Sequence, residues 1–120
     1  MKGREYDQVL KQVRSLCLAL PEAAEVEAWG HPTFRAGKKM FAAFGQDADG
    51  LTVGLKVGHD RQEELLQSGR FFPTPYAAHQ GWVSLRLDGE VDWEEVRALA
   101  REAYRQVALK RMVKALDAQA

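Results

Sequence analysis

The chain has 120 residues, with 17 Lys plus Arg against 17 Asp plus Glu, so it carries no formal net charge. Each half is neutral as well, which removes a bulk electrostatic drive toward nucleic acid or anionic lipid and leaves only local clustering. Cys17 is the only cysteine, which excludes a disulfide framework and a thiolate metal cluster and fits a reducing, cytoplasmic setting.

The length suits one domain, 1–120, with a single core. Residues 4–20 read as an amphipathic helix, because Tyr6, Val9, Leu10, Val13, Leu16, Cys17 and Leu20 recur at spacings of three and four, and Pro21 stops it. Residues 23–29 alternate as a strand, with Glu25, Glu27 and Trp29 on the wetter face. Strands at 33–36 and 39–45 fold about Gly37-Lys38, and Asp47 to Gly50 is the next turn. Residues 51–57 form the clearest strand, with Leu51, Val53, Leu55 and Val57 inward and Thr52, Gly54 and Lys56 outward.

Asp60 and Glu63 have capping-box spacing for a short helix ended by Gly69. Residues 70–79 read as a loop or ragged edge, since Pro73 and Pro75 exclude a central strand. Residues 81–87 return as a strand with Trp82, Ser84 and Arg86 outward, and Asp88-Gly89 turns the chain. Asp92 and Glu95 cap the last helix, with Val91 and Val96 as a hydrophobic staple. Its apolar stripe shifts beyond Val107 to Leu109, Met112, Val113 and Leu116, which implies a bend or a tail packed elsewhere. The class is α+β: an antiparallel sheet of about five strands with helices on one face. The other face is left with Glu25, Glu27, Thr52, Lys56, Trp82, Ser84 and Arg86.

The segments His31-Pro-Thr-Phe-Arg-Ala-Gly-Lys-Lys-Met-Phe-Ala, Leu55-Lys-Val, Glu64-Leu-Leu and Phe71-Phe-Pro-Thr-Pro-Tyr lead to His79-Gln-Gly-Trp-Val-Ser-Leu-Arg-Leu-Asp and to Ala103-Tyr-Arg in the last helix. Together, over about residues 5–108, they resemble the MmcQ/YjbR family, whose fold is described as CyaY-like or double wing. The resemblance implies a small cytoplasmic bacterial protein of a family often labelled DNA-binding, with no agreed catalytic residues. Residues 109–120 are a less typical helical extension.

Two basic surfaces are candidates. Arg35, Lys38 and Lys39 surround a hairpin tip and can reach phosphates, or they keep an exposed edge soluble. On the open face, Trp82 can stack a base while Lys56 and Arg86 hold its phosphate; alternatively Lys56 and Arg86 pair with Glu25 and Glu27, and a loop covers Trp82. The last helix places acids in its first turn and Arg97, Arg101, Arg105, Lys110, Arg111 and Lys114 later, which suits the helix dipole, but its cations point in opposite directions. His31, His59 and His79 lack zinc-ligand spacing, although His31 and His79 can converge with Tyr76. No nucleophile elbow, P-loop or dinucleotide fingerprint is present.

The sequence therefore leads to a non-enzymatic binding protein without cofactor, metal site, small-molecule ligand or membrane partner. DNA is the expected partner, through backbone contacts from Arg35, Lys38, Lys39, Lys56, Trp82 and Arg86. The alternative is a protein-interaction module or homodimer using the sheet edge or the 109–116 stripe. An iron-handling role ranks below both, because the first helix carries Arg4, Lys11 and Arg14 against Glu5 and Asp7.

Overall fold

Alternation of large apolar residues with small or polar ones builds one sheet with two unlike faces. A computed structural model describes residues 3–119. Its elements are α1 (Arg4–Leu18), β1 (Ala24–Ala28), β2 (His31–Ala36), β3 (Lys39–Asp47), β4 (Gly50–Lys56), α2 (His59–Gln67), β5 (Phe71–Pro73), a 3-10 turn at Ala78–Gln80, β6 (Trp82–Arg86), α3 (Trp93–Val107) and α4 (Lys110–Ala118). The six strands are all antiparallel, in the order β1-β2-β3-β4-β6-β5. The sixth is β5, three residues read from the sequence as a loop. It sits at the sheet edge, where Pro73 removes no central ladder bond.

One face carries the core. Phe34, Phe41, Phe44, Val53, Leu55 and Val83 are fully buried there beneath α1 and α3. Phe41 sits edge-on to Tyr104 of α3, with ring centroids 5.7 Å apart and planes at 90°. The Tyr104 hydroxyl donates to the Pro21 carbonyl at 2.8 Å, so α3 is also tied to the turn after α1. Cys17 is buried in the same core, and burial pushes its thiol up to about 12.

A bulge sets the phase of the central strands. Phe34 pairs with Ala42 but Arg35 pairs with Met40, which leaves Phe41 as an extra residue. Phe41 and Ala42 are therefore both buried on the helix side.

The helix starts and ends differ from expectation in two places. Helix α2 begins at His59 after Gly58 and has no side-chain cap, so the expected Asp60–Glu63 capping box does not form. A close backbone approach sets that start instead. Val57 and Gly58 N–H groups both donate to the Gly81 carbonyl at 3.1 Å, and a Cβ on Gly81 would lie 3.0 Å from the Gly58 Cα. The Asp92 cap is present, accepting from the Glu95 N–H at 3.2 Å. The Glu95 carboxylate, however, faces Arg70 at 2.7 Å rather than closing the box.

The stripe beyond Val107 packs on its own chain. Ala108 is extended, and α4 folds back so that Met112 and Leu116 are buried. Arg111 bonds Glu22, and Arg105 bonds Asp117, which fastens the return. Met112 and Leu116 of the 109–116 stripe are thus taken up by the chain's own core, while Val113 is half-buried and Leu109 stays 45% exposed. No helix among the described residues is long and apolar enough to cross a membrane.

Two predictions follow from this packing. Met112→Ala lowers unfolding free energy by about 2–4 kcal/mol in urea titration, because it empties a core site; an unchanged midpoint contradicts a core role for α4. The second concerns acid. Arg14 holds the Glu25 carboxyl below its ordinary range through bonds of 2.6 and 2.9 Å. A depressed folded value means that the pair contributes fully above about pH 4.3 and is lost as pH falls through the folded value. Glu25→Gln therefore flattens the loss of stability between pH 7 and pH 3, by within about 1 kcal/mol because the pair is partly exposed. Urea midpoints at the two pH values measure it.

Candidate functional site

The face of the sheet opposite the helices is hollow. Cross-strand pairing places Val26, Thr33, Ala43, Gly54, Ser84 and Phe72 in one row across all six strands, from β1 to β5. Gly45, Thr52 and Arg86 form the row beside it. Small residues in the middle of both rows leave a cleft of about 920 Å³. A side chain larger than alanine at Gly54 would enter it beside Trp82 and Thr74, whose atoms already stand 3.5 and 3.6 Å from the position of a Cβ. The helix-side residues of the same strands are large, so the hollow comes from side-chain choice and not from a gap in the backbone.

The register of β1 reverses one expectation. Glu25 lies opposite Phe34, on the helix side, and Glu27 lies opposite Pro32 on that side too. Val26 faces the open side and is 41% exposed. The physical reason is the cross-strand partner: antiparallel residues directly opposite share a face, and Phe34 belongs to the core. Arg14 on α1 then holds Glu25. Neither acid pairs with Lys56 or Arg86, and neither stands on the open face.

The six expected binding residues fall into three groups. Lys56 and Trp82 lie opposite one another in β4 and β6, and both line the cleft together with Lys39. Trp82 is only 6% exposed and stands beside Gly54 in the cleft lining, so it serves as cleft wall and offers no free ring face. Arg86 is spoken for. Its guanidinium donates to Asp47 at 2.6 Å, lies 3.6 Å from Asp49 and sits 4.7 Å from the centre of the Phe72 ring. That contact holds the Asp47 carboxyl below its usual range. Arg35 and Lys38 stand outside the cleft lining. The Arg35 Nε is buried without a hydrogen-bond partner among the described residues, and Lys38 is exposed at the hairpin tip with φ of +74°.

Lys39 and Lys56 have no carboxylate at ion-pair distance among the described residues. The single acid in the lining, Asp47, is already engaged by Arg86. The cleft lining accordingly holds two lysines without an ion-pair partner, on a molecule of zero formal net charge.

His31 and Tyr76 line the cleft, as their convergence in the sequence suggested, but His79 does not. The His79 carbonyl, in the 3-10 turn that precedes β6, accepts from the His59 ring at 2.9 Å. No group of three or more His, Cys, Asp or Glu among the described residues is placed to hold a metal ion.

One residue of the site escaped the sequence reading: Trp29 was placed on a strand, yet it stands in the β1–β2 turn at 89% exposure. Tyr76, named from the sequence only beside His31 and His79, stands in the turn after β5 and is 99% exposed. The Trp29-Gly30 pair before His31-Pro32 was the available signal, since an X-Gly pair between strands marks a two-residue hairpin.

Comparison with known proteins fits this architecture. The family model YjbR matches residues 18–106, well over half of the chain. The fold is similar to the crystal structure of Deinococcus radiodurans protein DR2400, which carries a DUF419 domain, with a TM-score of 0.73, 29% identity, and coverage of 90% of this chain and 87% of that one. It is also similar to a Pseudomonas syringae protein structure with a TM-score of 0.63, 16% identity, and coverage of 88% and 99%. No curated protein matches significantly. The match over residues 18–106 shows that the chain belongs to the YjbR family.

Proposed function

We propose that the protein is a non-catalytic binding module whose open sheet face takes a short single-stranded stretch of nucleic acid. The observation that carries the reading is the register of β1. By turning Glu25 and Glu27 to the helix side, it leaves Lys39 and Lys56 as the only uncompensated charges lining the cleft among the described residues. Two free ammonium groups match a few phosphates, which is too little for the broad basic surface that holds duplex DNA. A concave, largely apolar floor suits unpaired bases, whose ring faces are available, better than a closed duplex. The sequence expectation of DNA as partner is thereby narrowed in form and reduced from six contacting residues to the two lysines, with Trp82 as wall.

Titration of a labelled 12-nucleotide single strand tests this by fluorescence anisotropy. With about two phosphates neutralised, log K falls against log salt with a slope of about −1.4. Lys39→Glu with Lys56→Glu weakens binding about tenfold or more at low salt, while Lys38→Glu changes it little. Gly54→Leu, which fills the floor, abolishes it with the fold intact by circular dichroism. A parent protein that binds no strand at 100 µM, or binds unchanged after the double reversal, contradicts the reading.

A further inference from the structure

Trp29 and Tyr76 are expensive residues where they stand. The β1–β2 connection is a two-residue turn, since Ala28 pairs with His31, and both turn residues have positive φ: +51° at Trp29 and +79° at Gly30. Such primed turns favour Asn-Gly, Asp-Gly or Gly-Gly, because a bulky side chain is strained in the left-handed region. Tyr76 repeats the pattern. The Ala77 N–H donates to the Thr74 carbonyl at 3.2 Å, Pro75 takes the second position, and Tyr76 takes the third with φ of +65°. Turns of this kind take Gly or Asn at that position. Neither aromatic recovers the strain by burial, since the two are 89% and 99% exposed.

The remaining non-glycine residues with positive φ have other accounts. Glu22 is held by Arg111, and Lys38 is a charged hairpin tip. Trp29 and Tyr76 share something more. They come from segments attached to opposite edges of the sheet, β1 and β5, and yet both line the one cleft. Strain retained at two turns, each presenting a free aromatic ring to the same hollow, is a pattern of function held against stability.

We infer that Trp29 and Tyr76 are stacking platforms for unpaired bases, so that the cleft holds a single strand by its rings as well as by its phosphates. This rests on the nucleic-acid reading of the same cleft. Lys39 and Lys56 supply the charge complement for the backbone, and the ring faces supply affinity that reads no base edge, since every base presents a π-face. The one preference that stacking carries is ring size, so purine strands bind more tightly than pyrimidine strands of equal length.

The test uses the intact chain and two 12-nucleotide strands with the same phosphates, one bearing bases and one abasic. Stacking predicts that the unmodified protein binds the abasic strand at least about fivefold more weakly. Trp29→Asn and Tyr76→Asn install the residues that the turns favour. Each variant therefore melts at or above the parent temperature while binding the base-bearing strand at least about fivefold more weakly, and Trp29→Phe restores part of the loss. Equal binding of the two strands by the parent overturns the platforms but leaves the nucleic-acid reading standing, provided that the double lysine reversal still weakens binding. Binding of neither strand overturns both. If light scattering shows the parent to be a dimer that Trp29→Asn dissociates, the rings pack against a second copy and the inference is wrong.

Discussion

Everything in this molecule depends on the cross-strand register of β2, β3, β4 and β6. In that register Phe34, Ala42, Leu55 and Val83 meet on one side, and Thr33, Ala43, Gly54 and Ser84 meet on the other. The first set is covered by α1 and α3 and becomes the core; the second is too small to fill its face and becomes the cleft. A slip of one residue would exchange the two sets and leave neither a core nor a hollow. The bulge at Phe41 lets the β2–β3 hairpin keep this phase while both Phe41 and Ala42 point inward.

Charge placement follows from the same register. Six of the ten arginines of this neutral chain are tied to carboxylates across elements: Arg14 to Glu25, Arg61 to Glu102, Arg70 to Glu95, Arg86 to Asp47, Arg105 to Asp117 and Arg111 to Glu22. These pairs are partly exposed and add little stability each, but they fix which cations remain free. The lysines of the cleft are among the free ones. The local imbalance at the open face therefore arises from geometry, with no surplus in composition.

Much of the fold was legible in the sequence. The alternation Leu51, Val53, Leu55, Val57 is strict because β4 is central and one of its faces must be buried. Gly37-Lys38 marked the hairpin, and Asp92 marked the start of α3. What stayed hidden depended on partners distant in sequence. The face of Glu25 is decided by Phe34, nine residues away, and by Arg14 on α1. The bulge is invisible to a period of two. The start of α2 is set by Gly81 meeting Gly58, which overrode a capping box that the local sequence spelled correctly. β5 is too short and too proline-rich to show a strand pattern of its own. The candidate site was half legible: Lys39, Lys56 and Trp82 were singled out and do line one cleft. The cleft itself could not be foreseen, because it is made by residues notable only for being small.

The central claim is that the open sheet face is the binding surface and the helical face is not. The most direct measurement is a backbone amide NMR spectrum recorded while an unlabelled single strand is added. The account predicts shifts concentrated at the amides of Trp29, Lys39, Gly45, Gly54, Lys56 and Tyr76, with α3 and α4 unmoved. Shifts centred on Arg101, Lys110 and Lys114, or an unchanged spectrum at millimolar strand, would contradict it.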